Sequence, residues 1–316
     1  MRQFRANQVR PLARSLVSRL NKLRRGPETS QWRTVLAVVA PGALLAAMIW
    51  AWDRSGLTAD DLRWKPVLAL MVITSPLSFL LKAAEFSVAA QIAGHRPSRR
   101  LAAETAVLSS VANLAPLPGS LLVTVQTLAE RGSSYGRALT ASAIPGIAWL
   151  GITAGIGGVA IASRGSLGLG VLASITGVVV LGAAAAAFVR TVPASRRVSL
   201  AAATLTVELG WLAISATRFT LAAAAVGVSL TPAQALSFSV AGALTVAIGF
   251  VPGGLGVREA LIAGLSPLVG LPVDVGVLMG AIDRVVWLGA LAIAGTVMLA
   301  ARRYRTAETN SANGSE

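Results

Sequence analysis

Residues 250–260 read Phe250-Val251-Pro252-Gly253-Gly254-Leu255-Gly256-Val257-Arg258-Glu259-Ala260. Pro252 and three glycines, Gly253, Gly254 and Gly256, break a long apolar segment, and Arg258 and Glu259 follow immediately. Within a bilayer, non-helical backbone and charged side chains are tolerated only where protein or a wet cavity satisfies them, so this stretch is expected to mark a transport site. A second break, Leu114-Ala115-Pro116-Leu117-Pro118-Gly119, interrupts another apolar segment. Two such segments in one chain suggest two related halves.

Composition sets the class. Apolar residues make up 54% of the 316 and charged residues 13%, with positive mean hydropathy, a balance foreign to a soluble surface. Apolar runs lie near 34–51, 66–93, 101–129, 137–163, 166–190, 198–227, 232–269 and 273–301, several of them reaching the ~20 residues of a membrane-crossing helix. They lack the polar alternation of a membrane barrel. The expected fold class is all-α, a polytopic helical bundle in the cell membrane. The chain has no cysteine and one histidine, His95, which excludes disulfides, thiol nucleophiles and a His-based metal cluster. Gly253-Gly254-Leu255-Gly256 lacks the Gly-Lys-Ser/Thr ending of a nucleotide-binding loop, and Ser109-Ser110 and Ser133-Ser134 have no histidine base nearby in sequence. No enzymatic activity, catalytic residue, metal or cofactor is therefore expected.

The net charge of +15 is concentrated in the N-terminal tail and in short loops, which reads as a topology signal and not as a nucleic-acid surface. Residues 1–33 form a basic tail in which Val9, Leu12, Leu16, Leu20 and Leu23 recur at helical spacing, suited to an anionic lipid surface. A cleaved signal peptide is not expected, because no small-residue site clearly follows the first apolar run. Residues 34–65 supply a first span and an outer loop; 66–163 form repeat 1 with broken segment 101–129; 164–197 form a connecting span. Residues 198–301 form repeat 2 with broken segment 232–269, and 302–316 a disordered tail. If each broken segment is a re-entrant hairpin that returns to its starting side, the basic loops around Arg96, Arg131, Arg196 and Arg302 all fall on the cytoplasmic side with both termini. Glu85-Phe-Ser-Val-Ala-Ala-Gln-Ile-Ala-Gly94 aligns without gaps to Arg218-Phe-Thr-Leu-Ala-Ala-Ala-Ala-Val-Gly227, and the topology makes the two repeats inverted.

Charges inside apolar runs cost at least ~2.5 kcal/mol each at the bilayer centre and so tend to face a protein interior or a cavity. They are Lys82, Glu85, Glu208, Arg218, Arg258, Glu259, Asp283 and Arg284, with Glu104 near one edge. Lys82 and Glu85 are spaced to pair on one helix face. Arg284 is placed to meet Glu259, and Asp283 to meet Arg218 or Arg258. Helix N–H groups after the second break, with Arg258, form a candidate anion site. Trp32, Trp50, Trp52 and Trp64 mark the ends of runs as interfacial anchors.

Val251-Pro252-Gly253-Gly254-Leu255-Gly256-Val257-Arg258-Glu259, followed by Arg284 in the last span, resembles the signature of the lysylphosphatidylglycerol synthase/flippase transmembrane family. Asn113 to Gly119 followed by Arg131-Gly132 resembles that family's first broken segment, and the resemblance covers roughly residues 66–301. It implies movement of anionic or aminoacylated phospholipid between leaflets. Full-length synthases of the family also carry a soluble transferase domain; a chain ending at residue 316 without one is expected not to make the lipid. The expected headgroup contacts are Arg218, Arg258 and Arg284 for phosphate, Glu259, Asp283 and Glu85 for charge balance or an amine, and Lys82 and Asn113 beside them. Pro116, Pro118, Gly119, Pro252, Gly253, Gly254 and Gly256 form the breaks. Two other readings stay open, a proton-coupled transporter of a small anionic solute and a non-transporting subunit of an envelope-lipid enzyme. Partners in keeping with these readings are membrane phospholipid, a second copy of the chain, or such an enzyme, and no nucleic acid.

Overall fold

The computed structural model describes residues 42, 45–114, 119–248 and 256–313. The breaks at Pro116, Pro118, Pro252, Gly253 and Gly254, and the tail 1–33, lie outside the described residues. Among the described residues every element is helical. Helix α1 covers 45–55, and α2 covers Trp64–Ile92. Then come α3 (Arg99–Ala112), α4 (Gly119–Glu130), α5 (Tyr135–Ala162), α6 (Leu167–Thr191), α7 (Ala194–Ala225), α8 (Pro232–Ile248), α9 (Val257–Leu265) and α10 (Val273–Asn313).

Among the described residues, five helices are long and apolar enough to cross a membrane: α2, α5, α6, α7 and the Val273–Ala301 part of α10. Their outer faces carry exposed Val72, Leu80, Val178, Val198 and Ile293, side chains that fit acyl chains better than water. The chain is thus a multi-pass membrane protein. The other helices are shorter. With 14 and 12 residues, α3 and α4 reach only about 21 and 18 Å; with 17 and 9 residues, α8 and α9 reach about 26 and 14 Å, short of a ~30 Å hydrocarbon core.

One local feature departs from the sequence reading. The run 66–93 is not uniformly α-helical, because Leu70–Thr74 widens into a π turn. Pro76 is the cause: it has no N–H and its ring crowds the preceding turn. The Thr74 and Ser75 hydroxyls both donate to the Leu70 carbonyl and help satisfy the loosened backbone. At the other end, α10 continues through Asn313, well past its apolar part, which ends at Ala301. No proline or glycine interrupts the helix after Gly295 until Gly314.

Lipid tails are as apolar as leucine, so helix association here rests on close van der Waals packing more than on water exclusion. The α5–α6 pair shows this most plainly. A Cβ added at Gly151, Gly158, Gly170 or Gly177 would fall on backbone atoms of the opposite helix, so the two main chains meet through glycine. Helix α8 packs on α5, α2 on α7, and α10 on both α7 and α3. One core gathers around Phe86, Ile92, Leu128 and Leu200, the other around Phe219, Phe238, Ile262 and Met279.

The aligned ten-residue segments end α2 and α7 in the same way. Gly94 and Gly227 take φ of 93° and 81°. In each case the glycine N–H donates three residues back, to Gln91 or Ala224, and the next N–H five back, from His95 to Ala90 or from Val228 to Ala223. This reciprocal closure of a helix end requires a left-handed residue, which glycine adopts without a Cβ clash. The next helix starts five residues on both times, Arg99 after Gly94 and Pro232 after Gly227. A second positive-φ glycine, Gly132 or Gly270, then precedes the last long helix by three residues, at Tyr135 or Val273.

Candidate functional site

The site is assembled where α7, α9 and α10 meet. Gly256, with φ of 79°, turns the chain into α9, and its N–H donates to Glu259 Oε2 at 2.8 Å. Glu259 thereby caps its own helix with one carboxylate oxygen. The other oxygen, Oε1, faces Arg284 Nε of α10 at 3.9 Å. Helix α9 comes this close because Gly276 and Gly280 occupy the α10 face beneath it. A Cβ on Gly276 would lie 3.2 Å from Ala263 Cα, and one on Gly280 3.5 Å from Glu259 Cγ.

Asp283 is fully buried and joins two arginines. Its Oδ1 lies 2.6 Å from Arg218 Nε of α7 and its Oδ2 2.8 Å from Arg258 Nη1 of α9. Arg218 Nη2 also donates to the Asp283 carbonyl at 3.2 Å. Aromatic faces complete the surroundings: Arg218 lies over Trp287 at 5.2 Å and Arg258 over Phe219 at 5.5 Å. Trp287 in turn stacks on Phe79 of α2 with ring centres 5.1 Å apart. Among the described residues, the ion pairs of this cluster set three arginines, Arg218, Arg258 and Arg284, against two carboxylates, Asp283 and Glu259, one positive charge more.

Both pairings drawn from the sequence, Arg284 with Glu259 and Asp283 with an arginine, are present, and Asp283 takes both of its candidate partners. Glu85 and Lys82 do not join them. Lys82 Nζ lies 3.0 Å from both oxygens of Glu85, on the part of α2 nearer its C-terminus. Glu208, buried in the middle of α7, lies close enough to this pair to interact with it electrostatically. Asn113 serves the first break: its Oδ1 accepts the Ser120 N–H at 2.9 Å and so caps α4. Gly119, the first residue of α4, lies against the Ala112 carbonyl so closely that no Cβ fits, which holds α3 and α4 together.

A cavity of about 270 Å³ opens at the end of α2, with Phe86, Ala90 and Leu128 in its walls and His95, Arg96 and Arg131 at its rim. His95 Nε2 lies 2.7 Å from Ser133 Oγ, joining the α2–α3 loop to the end of α4. Sequence reasoning missed the aromatic wall of Phe79, Phe219 and Trp287, because aromatic residues in an apolar run look like ordinary packing until a guanidinium is placed on them. It noted Glu208 as an intramembrane charge but gave it no site. Among the described residues no group of three or more His, Cys, Asp or Glu side chains could hold a metal ion. No protein-family model and no curated protein sequence matches the chain.

Proposed function

We propose that this chain is a phospholipid translocase whose arginine cluster receives the phosphate of an anionic or aminoacylated headgroup. The observation that carries the reading is the excess positive charge enclosed among apolar spans, where Arg218, Arg258 and Arg284 outnumber Asp283 and Glu259. An incoming phosphodiester would neutralise that excess. Arginine suits the task, since its planar fork can hold two phosphate oxygens at once. Access requires α9 or α10 to shift, because the Arg218, Asp283, Glu259 and Arg284 side chains are all less than a tenth exposed.

The two halves act as inverted repeats, each with a broken re-entrant hairpin, α3–α4 in one and α8–α9 in the other. The matched glycine ends of α2 and α7 and the equal spacings that follow support this arrangement. So do the shortness of the four hairpin helices and the exchange packing, in which α3 lies on α10 and α8 on α5. With the basic loops cytoplasmic, both termini are cytoplasmic and the arginine cluster sits in the outer half of the cell membrane. The reading keeps the resemblance to the lysylphosphatidylglycerol synthase/flippase transmembrane family, carried by Val251 to Glu259 and Arg284.

The sealed state of the cluster favours a second reading, a transporter of a small anionic solute. Mass spectrometry of the protein extracted in native lipid separates the two. The expected result is a retained anionic phospholipid that is lost in Arg258→Gln; a retained small acid, or no retained ligand in either protein, counts against translocation of lipid.

A further inference from the structure

The second charged group, at mid-membrane, has no role in the phosphate site. Glu208 lies halfway along α7, is 1% exposed, and its Oε1 has no hydrogen-bond partner. One turn further on, the buried Nε1 of Trp211 also lacks a partner. Gly210 brings α7 against α2 here, since a Cβ at that position would lie 3.0 Å from Leu81 Cδ2. The charged groups facing Glu208 from α2 are therefore Lys82 and Glu85, already joined at 3.0 Å. The other helices packed on α7 add nothing at this depth. Helix α8 has no charged side chain, and α5 has only Arg137 in its first turn. On α10, Asp283 and Arg284 belong to the arginine cluster, Asp274 stands in the first turn, and Arg302, Arg303, Arg305 and Glu308 follow the apolar part that ends at Ala301. Arg218 is ten residues along α7 from Glu208, about 15 Å away.

Lys82 and Glu85 cancel, so the state of Glu208 sets the charge of the group. Ionised, it leaves one uncompensated negative charge among apolar helices; protonated, it leaves none, and the acid O–H supplies a donor. An acidic side chain this buried, with an oxygen unpartnered, beside a cation that already has a carboxylate, has the make-up of a site for a small positive ligand. We propose that Glu208 is an exchangeable proton-binding site that couples proton movement to the transport cycle. The chemistry is one proton: the carboxylate takes it from hydronium, leaving water, and returns it to water by the reverse step. Lys82, with its flexible stem, is the counter-ion available to Glu208 when the proton has left. The site stands whether the moving substrate is a phospholipid or a small solute.

Infrared difference spectroscopy on the purified protein in lipid vesicles tests this without any substrate. Wild type minus Glu208→Gln should show a protonated-carboxyl stretch that bleaches as pH is raised and returns as it is lowered. Glu208→Asp, which keeps a carboxyl but shifts its frequency, makes the assignment if the Gln variant does not fold. A stretch absent at every pH would mean a permanently ionised Glu208, and one unchanged at every pH a proton that never exchanges; either overturns the proposal. So does a titrating band that neither substitution alters.

Discussion

Asp283→Asn keeps the shape of the side chain and removes its charge, leaving Arg218 and Arg258 facing each other in a buried site. Removing one partner of a buried ion pair costs about 3–5 kcal/mol, because the charge left behind has already lost its water. Here two guanidinium groups are left, and the asparagine oxygen can still accept one hydrogen bond from Arg218. The two effects oppose each other, so the central expectation stays at about 3–5 kcal/mol, roughly a hundred-fold or more in the folded-to-unfolded ratio. Adding Arg218→Met should recover part of the loss, since it removes one of the two like charges, with a coupling of about 0.5–3 kcal/mol. Unfolding in mixed micelles can be followed by tryptophan fluorescence, because Trp287 lies 5.2 Å from the Arg218 guanidinium. An Asp283→Asn protein within about 0.5 kcal/mol of wild type, the size of an ordinary surface change, would refute the buried-triad reasoning.

Gly177→Leu should drive α5 and α6 apart and abolish folded yield, whereas Gly182→Leu, with open space around it, should leave yield near wild type; size-exclusion profiles of the two variants check this. Gly276→Leu should keep α9 from seating on α10, read as protease sensitivity gained near Val257–Leu265. Single cysteines in this cysteine-free chain test orientation: one at Ser195 should react with a membrane-impermeant maleimide only from the cytoplasmic side. Hydrogen bonds from the Thr58 N–H and hydroxyl hold the exposed Asp61 carboxyl below its ordinary range, so their stabilisation of the 58–61 turn is present above that range and lost as pH falls through the folded value. Protection of the Thr58 amide, the ratio of its intrinsic to its observed exchange rate, should fall on acidification in wild type and stay constant with pH in Asp61→Asn.

The spans were legible in the sequence because twenty apolar residues in a row leave few alternatives in water or lipid. The starts of two short helices were legible for a related reason: glycine acts locally, and Gly119 opens α4 while Gly256 turns the chain into α9. Partners were only partly legible. Arg258 and Glu259 point to different sides of α9, so one reaches Asp283 and the other Arg284. The Lys82–Glu85 pair expected from its i, i+3 spacing is present at 3.0 Å, but Glu85 does not also balance the arginines, because residue spacing along one helix fixes its local neighbour and says nothing of which other helix it meets. The π turn at Leu70 was missed because its cause, Pro76, sits inside an otherwise uninterrupted apolar run. Helix α10 outruns its apolar span because helix propensity persists where hydrophobicity stops.

The most direct measurement follows a labelled anionic or aminoacylated phospholipid across the leaflets of vesicles that contain the purified protein, its Glu259→Gln variant or its Arg284→Gln variant. Glu259→Gln retains an oxygen for the Gly256 N–H, so its fold should suffer less than its charge balance, and thermal stability is measured beside each rate. Wild type should move lipid in a protein-dependent manner, and both folded variants should lose that movement. Wild-type rates in both, or no protein-dependent movement at all, would contradict the proposed translocase function.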